Sequence, residues 1–383
     1  MSRKIRYGMI GGGRGAFIGG VHRIAASIDQ QIELVCGAFS SDPQRSKDSG
    51  ADFFLPAERC YANYEEMLRT EAALPADKRM DFVSIVTPNH LHFPAAKAAL
   101  EAGFHVLSDK PATFNLAQAK ELAEIVKTTG KLYGVTYNYT GYPLMRQARQ
   151  MIEEGKLGEI RKVVVEYPQG WLATMLENTG QKQASWRVDP AICGAAGADL
   201  TIFLAKEGRR LEDDGNVLLR FTNGAKGVLH SSQISIGCEN NLSLRVYGSL
   251  GGIEWSQLDP NTMIVTSLDK PKQIYRTSMG YLGSAAAACS RTPSGHPEGY
   301  LEGFANIYKN FANHVRAVSA GTQPNPLDMD YPTIEEGVAG MAFIEAVVAS
   351  SANNAAWTPL DYTPTTRAKY GDATLSSDRG GLA

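Results

Sequence analysis

Apolar residues run unbroken in short stretches along the first third of the chain and alternate with helical patterns. Ile5 to Ile10 reads as a strand, and Phe17, Val21, Ile24, Ala25 and Ile28 recur at helical spacing after the loop Gly11-Gly12-Gly13-Arg14-Gly15-Ala16. A second strand is expected over Ile32 to Phe39. A third, Phe82 to Val86, is apolar enough to lie inside a parallel sheet. Pro94 to Leu100 is alanine-rich and closes at Gly103, His105 to Leu107 forms the next strand, and Asn115 can cap a helix over Leu116 to Lys127 with Gln118 reaching back. Lys131 to Tyr137 completes the set. Repeated strand-helix alternation predicts an α/β fold class: a doubly wound parallel sheet over 1–138, with its ligand beyond the carboxyl ends of the strands.

Beyond about residue 140 the texture changes. Strand-like segments at Arg161 to Tyr167, Asn216 to Phe221, Gly227 to Ile236, Leu242 to Tyr247 and Met263 to Thr266 are joined by turn residues, and Asn223-Gly224 signals a hairpin. Helices over Glu302 to Ser319 and Ile334 to Ser351 follow, with Val338, Met341, Ile344, Val347 and Val348 as core positions. Pro297 and Glu298 read as the start of the first of these helices. Residues 139–361 therefore read as an α+β domain on an open, largely antiparallel sheet, and 362–383 as a polar tail expected to be loosely ordered.

At 383 residues, 43% hydrophobic and 20% charged, the chain is long enough for two cores. A net charge of -2 without a long basic run argues against nucleic acid or an anionic membrane as partner, leaving a small molecule. The five cysteines are odd in number and widely spaced, so neither a disulfide framework nor a zinc site is signalled; no metal is expected, and a reduced cytoplasmic setting is. No apolar run approaches the roughly 18 residues of a membrane span.

Candidate chemistry gathers at the strand ends. Gly11, Gly13 and Ala16 fit G-x-G-x-x-A between a strand and a helix, where backbone N–H groups can approach a pyrophosphate. The second strand ends at Ser40-Ser41 instead of an acid, and Arg45 is near enough in sequence to meet a 2'-phosphate, which tilts the choice between NAD and NADP towards NADP. Thr87-Pro88-Asn89-His90-Leu91-His92 follows a buried strand and can face the nicotinamide. Lys110 follows the next strand; beside a cationic nicotinamide its ammonium form is disfavoured, so it can take a hydroxyl proton as hydride leaves the same carbon.

These motifs, with Asp109-Lys110-Pro111 in the place of Glu-Lys-Pro and Trp186-Arg187-Val188-Asp189-Pro190, resemble the Gfo/Idh/MocA oxidoreductases from about Ile5 to Trp357. The resemblance implies a Rossmann domain, an open C-terminal sheet that serves as a homodimer or homotetramer surface, and hydride exchange between NAD(P) and a sugar or cyclitol. It implies Lys110 as the catalytic residue, aimed by Pro111 through a frequently cis bond. Expected cofactor contacts are Gly11, Gly12, Gly13, Arg14, Ala16, Ser40, Ser41, Arg45, Thr87, Pro88, Asn89, His92, Asp109 and Lys110. Substrate contacts are expected from Lys110, Trp186, Arg187 and His296.

One departure matters. The family continues from a Gly-Gly-Ala-like stretch into Asp-x-Gly-x-His, whose Asp and His orient substrate; here Cys193-Gly194-Ala195-Ala196-Gly197 runs straight into Ala198-Asp199-Leu200, and no histidine occurs between His105 and His230. Roughly 20 to 30 residues, a helix and most of a strand, are missing by this comparison. An enzyme is one reading of such a chain; the alternative is a non-catalytic dinucleotide- and sugar-sensing regulator of the same fold.

Overall fold

The structure, a computed structural model, describes residues 3–194, 209, 211–360 and 362. The chain begins β1 (Ile5–Gly11), α1 (Phe17–Ile28), β2 (Ile32–Ala38), α2 (Pro43–Asp52), α3 (Tyr64–Ala73), β3 (Phe82–Val86), α4 (His92–Glu101), β4 (His105–Ser108), α5 (Leu116–Thr129) and β5 (Tyr133–Val135). It continues with α6 (Pro143–Glu153), β6 (Ile160–Pro168), α7 (Lys182–Arg187), α8 (Pro190–Cys193), β7 (Asp214–Arg220), β8 (Lys226–Ser232), β9 (Ser243–Gly248) and β10 (Gly251–Ser256). β11 (Thr262–Ser267), β12 (Gln273–Arg276), α9 (Ser284–Ala287), α10 (Tyr300–Ser319) and α11 (Ile334–Ala352) close it.

The first sheet is wholly parallel in the order β2-β1-β3-β4-β5. Its strands are largely apolar because both faces are covered. Val21 and Ala25 of α1 lie on one face with Phe304, Tyr308 and Phe311 of α10. Met67 of α3, Ala96 of α4, Leu122 of α5 and Val338 of α11 cover the other. The two closing helices are thus built into the cores of the N-terminal sheet, although they follow the second sheet in sequence. Asn115 caps α5 as its spacing predicts, accepting from the Gln118 N–H at 2.9 Å; Gln118 itself reaches one residue further back, to the Phe114 N–H.

The second sheet runs β12-β11-β10-β9-β6-β8-β7, antiparallel except where β6 and β8 pair. Val163, Val246, Ile253 and Val265 share the face that packs under Leu144, Ala148 and Met151 of α6. The opposite face carries a cross-strand row from Leu218 through Val228, Val164, Arg245, Glu254 and Ile264 to Ile274. Leu218 and Ile274, at its two ends, are exposed.

Three expectations shift. β8 stops at Ser232, short of Ile236. Pro297 and Glu298 precede α10 instead of opening it: the helix starts at Tyr300, where the Glu302 carboxylate accepts the Gly299 N–H at 2.8 Å. Glu298 is buried, taking the N–H groups of Arg291 and Thr292. Of the tail, Tyr362 is described, donating to the Glu335 carboxylate at 2.7 Å; 361 and 363–383 lie outside the described residues. Among the described residues no helix is long and apolar enough to cross a membrane, and no three His, Cys, Asp or Glu side chains gather as a metal site.

Candidate active site

β1 neighbours β2 on one side and β3 on the other, so the strand order reverses there and a crevice opens beyond their carboxyl ends. Gly11 stands opposite Val86 at that point. Gly11, Gly12 and Gly15 have φ of +82°, +72° and +75°, a region open to glycine at little cost. Gly12 also needs to be small: a Cβ there would lie 2.7 Å from Val86 Cγ2 and 3.0 Å from Gly19 Cα. This close approach seats α1 with its N-terminus at the crevice. Ala16 at its N-cap supplies no side-chain bond, so N–H groups of the first turn are left for an anion.

The rest of the loop is braced from behind. Gly13 N–H donates to the Phe39 carbonyl at 3.2 Å, and Arg14 N–H to Ser49 Oγ at 3.1 Å. The Arg14 guanidinium turns to α2, where Asp52 takes it at 2.5 and 2.8 Å and Asp48 at 3.2 Å. Arg45 is exposed and crosses to the Arg14 carbonyl at 2.6 Å. Ser40 Oγ accepts the Asp42 N–H, and the Asp42 carboxylate caps α2 by accepting the Arg45 N–H at 2.7 Å. The acid nearest the end of β2 is therefore spent on a helix cap.

At the ends of β3 and β4 the sequence-derived residues separate into two sorts. Lys110 is half-buried just beyond β4, and the Lys110–Pro111 bond is cis. Among the described residues Thr87 Oγ1, a buried polar atom at the end of β3, has no hydrogen-bond partner. His92, by contrast, is fully buried with a carbonyl at each ring nitrogen, one of which takes the N–H of the neutral ring: Nδ1 lies 2.6 Å from the Pro111 carbonyl and Nε2 2.9 Å from that of Thr87. It stitches the loops after β3 and β4 together. Burial pushes its pKa down against the pull of those two carbonyls and of Asp109. The Asn89 amide donates to the Cys193 carbonyl at 2.9 Å, tying α8 to the crevice rim.

Asp109 also faces inward. Its Oδ1 accepts from Thr136 Oγ1 at 3.2 Å and lies 3.7 Å from His22 Nε2. Burial works to raise this carboxyl, but the neighbouring His22, with Lys110 and His92, outweighs it and holds the group below the usual carboxylate range. His22 and its partner Tyr308 were not singled out from sequence. The available signal was a lone histidine beside Val21 and Ala25 on the buried face of α1.

Trp186 and Arg187 end α7, the Arg187 guanidinium standing 4.9 Å from the Trp186 ring centre and 5.9 Å from that of Trp171. Trp171, whose indole N–H donates to Gln233 Oε1, is a further aromatic of this group that sequence reasoning passed over. Asp189 caps α8, accepting the Ala191 N–H at 3.0 Å. His296 stays apart: it is exposed, its Nδ1 lies 3.1 Å from the carbonyl of Pro293 in its own loop, and among the described residues no hydrogen bond or ion pair links it to the crevice. Asp199 and the join where the Asp-x-Gly-x-His motif is missing lie outside the described residues.

Comparison with known proteins agrees with this geometry. Residues 5–137 match the model of an oxidoreductase family with an NAD-binding Rossmann fold, GFO_IDH_MocA. Two C-terminal domain models of the same family match 145–206 and 203–360. An uncharacterised oxidoreductase of Bacillus subtilis strain 168, YfiI, is 37% identical, covering 93% of this chain and 97% of its own. That alignment spans 389 positions, more than this chain's 383 residues, so the relative carries residues that this chain lacks. Among solved structures, an oxidoreductase from Sinorhizobium meliloti is 44% identical with a TM-score of 0.83, covering 94% of this chain and all of its own. An inositol dehydrogenase homologue from Azotobacter vinelandii was solved with NAD+ (TM-score 0.87, 35% identity, 94% of this chain and 98% of that one) and with NADH and myo-inositol. A parallel nucleotide-binding sheet, a glycine loop at its switch point, and matches across nearly the whole length make this chain a member of the Gfo/Idh/MocA oxidoreductase family.

Proposed function

We propose that this chain is an NAD(P)-dependent dehydrogenase acting on a secondary alcohol of a sugar or cyclitol, with Lys110 as the proton acceptor. The observation that carries the reading is the place of Lys110, just past β4 on a loop that His92 ties to the end of β3 beside the switch point. The residues present fit a dinucleotide: an uncapped α1 N-terminus suits the pyrophosphate, and the free Thr87 hydroxyl suits the nicotinamide end. Bound there, the cofactor supplies a hydride acceptor. Lys110 Nζ takes or relays the hydroxyl proton, the loops fix its approach, and Trp186 and Arg187 contact substrate. The acid that follows β2, Asp42, caps α2 through Oδ1, and Ser40, Ser41 and Arg45 are the other polar residues there, which favours NADP. The solved homologue with myo-inositol supports a polyol substrate. The exposed face of the second sheet serves as the subunit surface of a homodimer or homotetramer, and the protein works in the cytoplasm.

The test is a panel of sugars and cyclitols with NAD+ and NADP+, followed at the reduced-nicotinamide absorbance band. A steady rise with a member of the panel is expected. The absence of Asp-x-Gly-x-His from the sequence favours a second reading, a sensor that binds dinucleotide and sugar without turnover. Tight NADH binding with a flat trace across the panel would select the sensor.

A further inference from the structure

Behind Lys110 lies a buried polar chain that the proposed reaction does not use. Asp109 Oδ1 is 3.7 Å from His22 Nε2; His22 Nδ1 is 2.8 Å from Tyr308 Oη; Tyr308 Oη is 2.6 Å from Ser84 Oγ. His22 and Ser84 are completely buried, as is Tyr308. The chain joins four elements, namely α1, α10, β3 and the loop after β4. Polar groups so buried are costly unless each has a partner, and among the described residues His22 Nε2 has no hydrogen bond and only the charge of Asp109 across 3.7 Å to answer it.

The geometry fixes what the members do. His22 Nδ1 meets the Tyr308 hydroxyl, while Nε2, buried without a hydrogen bond, stands across 3.7 Å from the Asp109 carboxylate, which favours the tautomer with the ring proton on Nε2. The Tyr308 ring is wedged against Tyr7 and Phe82, so His22 cannot swing away without disturbing the core. Asp109 is the residue before Lys110, and its N–H is pinned to the Ile85 carbonyl at 2.8 Å. The titratable groups around Asp109 are His22 from α1, His92 from α4, Lys110 from its own loop and Tyr308 from α10, with Thr136 adding a neutral hydroxyl.

We propose that His22, held by Tyr308 and Ser84, is a positioning residue for Lys110: it fixes the Asp109 carboxylate and, by answering part of its charge, sets how readily the neighbouring amine gives up its proton. The functional meaning rests on Lys110 as proton acceptor. The coupling itself is measured without substrate, from the rate at which acetic anhydride labels Lys110 at one near-neutral pH, read by mass spectrometry of the peptide that carries it. Only the free amine reacts. Asp109→Asn removes a negative charge beside Lys110 and is expected to speed labelling by about tenfold. His22→Phe leaves that charge unanswered and is expected to slow labelling several-fold. Tyr308→Phe, which keeps the ring and its packing, is expected to slow it less, and serves where His22→Phe fails to fold.

Opposite signs for Asp109→Asn and the His22 or Tyr308 variants are the signature of charge coupling. A purely structural role would loosen the loop and change labelling in one direction, or leave it unmoved; either result overturns the proposal. Failure of the proposed reaction is distinguishable. If Lys110→Ala keeps full turnover while the labelling shifts stand, the catalytic reading falls and the coupling survives. An inactive Lys110→Ala with unmoved labelling gives the reverse.

Discussion

Phe82, in the middle of the first sheet, stacks on Tyr7 at 5.5 Å and meets the edge of Phe311 from α10, whereas Ile274 and Leu218 at the two ends of the second sheet's outer row are 63% and 66% exposed. The first sheet is sealed on both faces, and the helices that seal it come from both ends of the chain. The second is covered by α6 on one face, while Leu218 and Ile274 stay exposed on the other. Sealing lets the first sheet hold buried polar groups in fixed places behind a crevice that opens only at its carboxyl edge. A half-covered sheet offers area instead, which the proposed function uses as a surface for another subunit.

Truncation tests the contrast most strongly. Phe82→Ala should cost about 4 kcal/mol in denaturant unfolding, since the cavity would be walled by packed rings, while Leu218→Ala should change the stability of the separated subunit by under about 0.5 kcal/mol. Comparable costs at the two sites would erase the distinction.

Acid sensitivity is the next consequence of sealing. His105, at the start of β4, is buried, and its Nδ1 accepts the Leu132 N–H at 2.8 Å, which requires the neutral ring. Burial, with Lys131 nearby, pushes its pKa down from 6.5 to about 4. The unfolded chain takes up this proton first, so stability is full above about pH 6.5 and falls as pH drops towards 4, by about 3 kcal/mol in all. His105→Asn, which keeps an acceptor for Leu132, should flatten that slope in unfolding measured across the interval.

The smallest effect on folding is expected on the outer face of the second sheet. Leu218→Asp combined with Ile274→Asp should shift the mass seen in light scattering towards the single chain and leave the circular dichroism spectrum unchanged. An unaltered mass would move the subunit contact elsewhere.

The same contrast decides what could be read from sequence. Parallel strands sealed on both faces are short apolar runs, so β1 to β5 stand out, as does the loop whose glycines the backbone demands. β10 and β12 did not. Gly251 and Gly252 make β10 look like a turn, and Gln273-Ile274-Tyr275-Arg276 is a polar edge strand whose identity comes from its partner β11. α6 was passed over as well, although Leu144, Met145, Ala148, Met151 and Ile152 recur at helical spacing and mark the face that packs on the sheet. At the site, the motifs located the right loops but not the direction of each side chain. His92, Asn89 and Asp109 sit in those loops and point inward, because each satisfies a buried partner that only the folded chain brings near. His22 and Tyr308, 286 residues apart in sequence, could not have been paired by spacing.

The central claim is that Lys110 performs proton transfer at a dinucleotide site it does not itself build. Turnover of Lys110→Ala, measured with the polyol the wild-type chain oxidises and alongside NADH affinity from fluorescence titration, addresses it directly. The account predicts turnover lower by about a thousandfold with affinity little changed. Turnover equal to that of the unaltered chain would contradict it.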